Sequence, residues 1–103
     1  MYFALSADDL MLYVFPTVTA LTDYCEGCDV ESGGWLFWDQ SGAPLQPRFT
    51  EPVNRSGRVV DGGIYVLEAG AGERLVTTLH RVTGLESDAS FRNVEDVRKY
   101  LGG

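Results

Sequence analysis

The sequence predicts an α+β fold: a mainly antiparallel sheet of four to five strands with two to three short helices packed on one face. Short apolar runs bounded by Gly, Pro, Asn or Asp indicate the strands. Segments with apolar residues three or four positions apart indicate the helices. The chain has 103 residues, 45% hydrophobic and 22% charged. Because that composition is typical of a soluble domain with one core, we expect a single domain over residues 1–103.

The N-terminal segment contains two apolar runs. Residues 1–5 are apolar, and the stretch 6–9 predicts a turn or a brief helical start. Residues 10–15 form the stronger run, which Pro16 ends, and they predict a strand buried on both faces. Because the strong run opens near residue 11, residues 1–10 are open to interpretation as a peripheral extension of the fold.

A short helix is predicted over residues 17–26, with Gly27 fraying its end. Thr17 is suited to cap the helix, because its side chain can accept a backbone hydrogen bond. The apolar stripe that predicts the helix consists of Val18, Leu21, Cys25 and Cys28.

The middle of the chain reads as strands. The aromatic segment 35–39 predicts one strand, and the turn 40–43 leads into a second strand near 45–50. Proline lacks an N–H group, so we expect this second strand at the sheet edge or on an irregular path. The prolines concerned are Pro44, Pro47 and Pro52. A turn over 54–57, a brief pairing at 58–60 and a strand over 64–68 follow.

Two further helices are predicted in the C-terminal part. Apolar residues at helical spacing predict a helix near 73–82, which Gly84 is placed to end. Asn93 and Asp96 have the spacing of a capping box, which predicts a last helix with a buried stripe. That stripe consists of Val94, Val97 and Leu101.

The charge is concentrated in the first half of the chain. Eight basic and fifteen acidic residues give a formal net charge of −7, and no Lys or Arg precedes Arg48. The acids before that position are Asp8, Asp9, Asp23, Glu26, Asp29, Glu31 and Asp39. Such a segment repels nucleic acid and anionic lipid, which bind clustered Lys and Arg. It favours a basic protein partner.

The same residues bear on location. No apolar run approaches the roughly 20 residues that span a bilayer. The N-terminus lacks the basic residues of a secretory signal, and two cysteines do not make a secreted disulfide scaffold. We therefore expect a cytoplasmic protein without membrane association. The excess of Arg over Lys favours a bacterial source.

Cys25-Glu-Gly-Cys28 is the motif that most invites a chemical role. Redox pairs of this spacing open a helix, where the helix dipole stabilises a thiolate. Here the pair closes a predicted helix among acidic residues, so core packing is the favoured interpretation. An oxidisable pair and half of a shared metal site stay open as alternatives. We expect no cofactor or metal within one chain, because zinc needs about four ligands and His80 is the only histidine.

The residues leave three classes of function. The favoured hypothesis is a small non-enzymatic protein-binding module, most concretely an immunity protein or antitoxin that neutralises a basic toxin or nuclease. The expected partner-binding residues are Asp23, Glu26, Asp29, Glu31, Trp35, Trp38 and Asp39. Segment 35–38 is aromatic on both strand faces, so either helices cover both faces or one face stays free for a partner, which we favour.

The alternatives differ in class. One is a small-ligand or thiol-dependent enzyme domain that uses Cys25, Cys28 or His80. The other is a structural subunit of a larger complex, or a homo-oligomer (a homodimer) that pairs through the proline-marked edge or the aromatic face.

Overall fold

Six strands form a single sheet in the described part of the chain. The computed structural model describes residues 1–56, 59–87 and 90–102, with the backbone alone at 55–56 and 59–62. In chain order the elements are β1 (Tyr2–Ser6), β2 (Met11–Phe15), α1 (Val18–Tyr24), α2 (Gly27–Glu31), β3 (Trp35–Trp38), β4 (Pro44–Ser56), β5 (Val59–Ala69), α3 (Leu75–Thr78), a 3-10 helix (Leu79–Arg81), β6 (Gly84–Glu86) and α4 (Val94–Tyr100). The described helices include none that is long and apolar enough to cross a membrane.

The strand order is β5-β4-β3-β1-β2-β6. Every neighbouring pair is antiparallel except β2 and β6, which run parallel. The predicted α+β class is confirmed. The sheet is larger than the predicted four to five strands, and it is mixed.

The N-terminal strand lies inside the sheet. β1 pairs with β2 on one side and with β3 on the other. Phe3, Ala4 and Leu5 are 0% exposed. The interpretation of residues 1–10 as a peripheral extension is therefore wrong, because their strand contributes side chains to the core on both sides of the sheet.

Helices cover both faces of the sheet, whereas the sequence predicted helices on one face. We call the side covered by α1 and α2 the α1 face and the side covered by α3, the 3-10 helix and α4 the α4 face. The core of the α1 face contains Ala4, Phe15, Leu21, Cys25, Val30, Phe37 and Tyr65. The core of the α4 face contains Phe3, Leu5, Leu12, Val14, Trp38, Leu75, Leu79 and Val97. Alternating side chains of β1 reach both cores, as the strand period of two requires.

The predicted first helix is divided in two. Thr17 caps α1 as expected, since its Oγ1 accepts a hydrogen bond from the Ala20 N–H at 3.1 Å. The helix ends at Tyr24, and Cys28 belongs to α2. Gly27 lies so close to β5 that a Cβ there would stand 2.0 Å from the Gly63 carbonyl oxygen. Val18 is 39% exposed rather than part of a buried stripe.

β4 lies between β3 and β5 in the strand order, but most of its length is at the edge of the sheet. Only Pro44 and Leu45 pair with β3, and the strand continues to Ser56 beside β5 alone. Pro47 and Pro52 therefore fall where the outer side of β4 has no neighbouring strand, so their missing N–H groups break no ladder.

The hairpin formed by β4 and β5 is longer than predicted. Residues 54–56 belong to β4, and β5 continues through the glycine pair at 62–63. Gly57 and Arg58, on which the predicted turn and brief pairing fall, lie outside the described residues. A register irregularity between Phe49 and Glu51 interrupts the pairing.

The C-terminal elements follow the prediction in part. The predicted helix near 73–82 is the short α3 with the 3-10 helix. Gly84 begins β6, an unpredicted strand that pairs with Met11–Tyr13 of β2. α4 has the expected cap, since Asn93 Oδ1 accepts from the Asp96 N–H at 2.9 Å. In return, Asp96 Oδ2 accepts from the Arg92 N–H at 2.9 Å.

Candidate interaction surface

The two short helices of the α1 face carry four of the predicted partner-binding acids. Asp23 lies near the end of α1, Glu26 caps α2, and Asp29 and Glu31 lie on α2. The turn after β1 adds Asp8, which lines a hollow of about 290 Å³ together with Asp29. We call Asp8, Asp23, Glu26, Asp29 and Glu31 the acidic patch.

The ion pairs between described side chains do not include Asp23, Glu26 or Asp29. The ion pairs seen between described side chains join Arg48 to Glu68 and Arg98 to Glu95. Within the described part of the chain, Asp23, Glu26 and Asp29 therefore have no ion-pair partner. The described basic residues that belong to or border the helices of the α4 face are Arg74, His80, Arg81, Arg92, Arg98 and Lys99. Among the described residues, the helices of the α1 face carry acidic and no basic side chains, whereas the helices of the α4 face carry both signs.

An aromatic cluster borders the acidic patch. The ring centroids of Tyr13 and Trp35 are 5.3 Å apart, and those of Tyr24 and Trp35 are 6.2 Å apart, both edge to face. Phe15 joins through Tyr24, with centroids 5.7 Å apart. On β1, Ala4 lies opposite Tyr13 of β2. Because the side chain of Ala4 is small, rings from β2 and β3 meet across β1. Tyr24 is 54% exposed and Trp35 is half-buried.

Tyr13 experiences the negative charge of its surroundings. A hydrogen bond with Tyr24 raises the pKa of the Tyr13 hydroxyl, and burial and the charges of Asp9 and Glu86 raise it further. Glu86 stands opposite Tyr13 in the parallel pairing of β2 and β6. The aromatic cluster therefore has carboxylates on more than one side.

Trp38 and Asp39 lie apart from this surface. Trp38 is 3% exposed in the core of the α4 face, and its Nε1 donates to the Glu73 carbonyl oxygen at 2.9 Å. Asp39 Oδ1 accepts from the Ser41 N–H at 2.9 Å, the Ser41 hydroxyl at 2.7 Å and the Ala43 N–H at 3.0 Å. These two predicted contact residues are committed to the core and to a turn, so we leave them out of the surface.

The environment of Asp39 favours its charged form. Burial opposes ionisation, but the hydrogen bonds from Ser41 and Ala43 and the charge of Arg74 lower the pKa of the carboxyl below its ordinary value. Its role is therefore to hold the turn between β3 and β4.

Cys25 has the properties of a core side chain. It is 0% exposed, and burial with the nearby charge of Asp29 raises the pKa of its thiol to about 12. A thiol with this pKa is almost wholly protonated near neutral pH, which disfavours nucleophilic or redox chemistry.

Cys28 belongs to a possible set of metal ligands. It is half-buried, and its sulfur lies within 4.8 Å of carboxylate oxygens of Glu26 and Asp29. These groups supply three ligands, whereas a structural zinc takes about four. In residues 1–56, 59–87 and 90–102 no other His, Cys, Asp or Glu joins the set.

His80 is remote from both cysteines. It lies on the 3-10 helix of the α4 face, whereas Cys25 packs in the core of the α1 face. Its Nδ1 lies 2.9 Å from the Thr77 carbonyl oxygen, and the side chain is exposed. The chain therefore brings no Cys–His dyad together within the residues that the structure describes.

A second hollow, of about 200 Å³, opens on the α4 face beside β3 and β4. Trp38, Pro44, Glu73 and Arg81 are among its lining residues. It contains neither cysteine and not His80, so it does not unite the residues of the predicted enzyme alternative.

Four acids of the patch and Trp35 are predicted from the sequence as contact residues, and the other members of the surface are not. Tyr13 and Phe15 come from β2, Tyr24 comes from α1, and Glu86 comes from an unpredicted strand. No local pattern joins these positions, because the parallel pairing of β2 and β6 and the packing of α1 bring them together.

The chain matches no protein-family model, no curated protein and no solved structure. The function proposed below therefore rests on the geometry and charge of this chain alone.

Proposed function

We propose that the protein is a small acidic protein-binding module that engages a basic partner protein through its α1 face. The observation that carries this proposal is the acidic patch, whose Asp23, Glu26 and Asp29 have no cationic partner among the described side chains. Unpaired surface carboxylates raise the local negative potential, which attracts a basic protein and speeds its association.

The aromatic cluster supports the proposal by providing side chains that can anchor a partner. Charges alone give fast encounter but little binding energy, whereas Trp and Tyr are the residues that most often anchor interfaces. Trp35 and Tyr24 are accessible beside the acidic patch, so steering groups and anchors share one side of the molecule. The most concrete form of the proposal is a neutraliser of a basic toxin or nuclease, as an immunity protein or antitoxin is.

The test uses a partner captured on the immobilised protein from a lysate of its source cells and then purified. We expect this partner to be basic. The double variant Glu26→Gln/Asp29→Asn removes two charges from the acidic patch, and we expect association with the purified partner to slow by about tenfold at low salt. Rates measured over a range of salt concentrations should also depend less steeply on salt.

A matched variant controls for net charge. Glu51→Gln/Glu95→Gln removes the same charge from exposed positions outside the acidic patch, and we expect the association rate to change by less than about twofold. An acidic partner, or equal effects of the two double variants, would contradict the proposal. For a toxin or nuclease partner, the wild-type protein should inhibit it more strongly than Glu26→Gln/Asp29→Asn does.

A further inference from the structure

A hollow on the α1 face has three aromatic rings and one carboxylate among its walls. Its volume is about 420 Å³, and it is lined by Tyr13, Val14, Phe15, Tyr24, Glu86 and Ser87. The rings of Tyr13 and Phe15 lie 6.5 Å apart and nearly parallel, at 12°. Tyr24 is inclined to both, at 35° and 45°. We call this site the aromatic hollow.

Two features hold the rings in place and leave them accessible. Tyr13 and Phe15 are two residues apart on β2, so both point to the α1 face. The ring of Tyr24 packs against both, with its centroid 5.3 Å from that of Tyr13 and 5.7 Å from that of Phe15. Tyr24 is 54% exposed and Tyr13 is half-buried, whereas Phe15 is 9% exposed, so a ligand reaches the rings of Tyr24 and Tyr13 from solvent.

The charges around the hollow are negative. Glu86 is exposed and has no ion pair with any side chain that the structure describes. Asp9 also acts on Tyr13, as the raised pKa of that hydroxyl indicates. An anionic or purely apolar ligand would leave these carboxylates uncompensated, whereas a cation is attracted both to them and to the negative faces of the rings.

We propose that the aromatic hollow is a receptor for an arginine side chain presented by the basic partner protein. This inference rests on the proposed function and names the group that the surface recognises. The planar guanidinium group stacks on aromatic faces and forms paired hydrogen bonds with a carboxylate. Tyr24 and Tyr13 supply the accessible faces, Phe15 lines the hollow beside them, and Glu86 supplies the carboxylate.

The test is a titration with the peptide acetyl-Gly-Arg-Gly-amide, followed through the ring proton resonances in NMR spectra. We expect shifts at Tyr13, Phe15 and Tyr24 with a dissociation constant in the millimolar range. The citrulline peptide has nearly the same shape without the charge, and we expect it to bind about tenfold more weakly. Equal binding of the two peptides, or shifts confined to rings of the α4 face, would overturn the proposal.

Variants assign the binding to this hollow. Tyr24→Leu removes an exposed ring, and we expect it to abolish the shifts. Tyr100→Leu is the matched control, because Tyr100 is 47% exposed and its ring packs against Phe3 and Phe91 of the α4 face. Glu86→Gln should weaken binding by about two- to fivefold. Thermal unfolding of each variant confirms that it is folded, and retained binding by folded Tyr24→Leu would contradict the assignment.

The two proposals fail separately. Glu26 and Asp29 do not line the aromatic hollow, so Glu26→Gln/Asp29→Asn should leave the affinity for the arginine peptide within about twofold. If association with the partner still depends on Glu26 and Asp29 but the peptide does not bind, the proposed arginine receptor is wrong and the proposed function stands. If the protein self-associates and the arginine peptide separates the copies, the arginine belongs to a second copy of this chain. That result would contradict a separate partner protein.

Discussion

At the scale of single residues, Tyr65 and Cys25 connect the sheet to the end of α1. The Tyr65 hydroxyl donates to the Cys25 carbonyl oxygen at 2.6 Å, and both side chains are buried. Burial raises the pKa of the Tyr65 hydroxyl and that of the Cys25 thiol, the latter from 9.0 to about 12. Both groups therefore have a lower pKa in the unfolded chain than in the folded protein.

We predict a loss of stability at alkaline pH. Raised pKa values mean that the folded protein keeps these protons to higher pH than the unfolded chain does. Their contribution is fully present below the unfolded pKa of the thiol and is lost as pH rises from about 9 towards 12. Each group can steepen the decline in the free energy of unfolding by about 1.4 kcal/mol per pH unit. Urea unfolding at a series of pH values measures this decline.

Two variants separate the contributions. Cys25→Ala should flatten the decline that begins near pH 9, and Tyr65→Phe should flatten the part above about pH 10, where the unfolded phenol ionises. The slopes of the free energy of unfolding against pH are compared, since both variants also lower the free energy of unfolding at neutral pH. Slopes identical to that of the wild-type protein would show that neither group carries the effect.

At the scale of elements, the contact between α2 and β5 depends on two glycines. Gly27 and Gly63 let the backbones approach so closely that a Cβ on Gly27 would meet the carbonyl carbon and oxygen of Gly63. Gly63 also has a φ of +86°, a conformation that residues with a side chain rarely adopt. This approach positions the helix that carries Glu26 and Asp29.

We predict that Gly27→Ala destabilises the protein by about 1–3 kcal/mol, because the new methyl group forces α2 away from β5. Helix propensity alone would favour alanine by about 1 kcal/mol, so the sign of the change is diagnostic. The control is Asp23→Ala on the exposed side of α1, which should change the free energy of unfolding by no more than about 0.5 kcal/mol. Chemical denaturation measures both, and a stabilised Gly27→Ala variant would refute the close contact.

The elements also show what a sequence can predict. Thr17 and Asn93 cap their helices as expected, because capping depends on residues within one turn. The three-residue strand β6 has no comparable local signal, since its pairing with β2 depends on residues far away in the chain. The acidic residues of the candidate surface could be counted from the sequence. The aromatic hollow could not, because its residues meet only through tertiary packing.

At the scale of the whole molecule, the fold converts an uneven sequence into two unlike faces. Four acids of the first segment lie in or beside α1 and α2, and most of the described basic residues lie in or beside the helices of the opposite face. The first strand of the chain, β1, is one of the two central strands of the sheet between them.

We predict that deletion of residues 1–10 abolishes cooperative unfolding. The deletion removes the strand that joins β2 to β3, together with Phe3, Ala4 and Leu5, which are fully buried. Insertion of two glycines between Ala7 and Asp8 is the control, because lengthening an exposed turn costs little. Circular dichroism during heating should show a sharp transition for the insertion variant and none for the deletion variant. A sharp transition in both would contradict the central position of β1.

The parallel contact between β2 and β6 has a consequence for folding kinetics. It joins Met11 to Gly84, so the long segment between these residues must close into a loop before this contact forms. Closing this loop costs conformational entropy before the contact stabilises the chain. Topologies rich in such distant pairings therefore fold slowly. The hairpin of β4 and β5 needs no such search and is the natural place for structure to begin, with β6 among the last elements to dock.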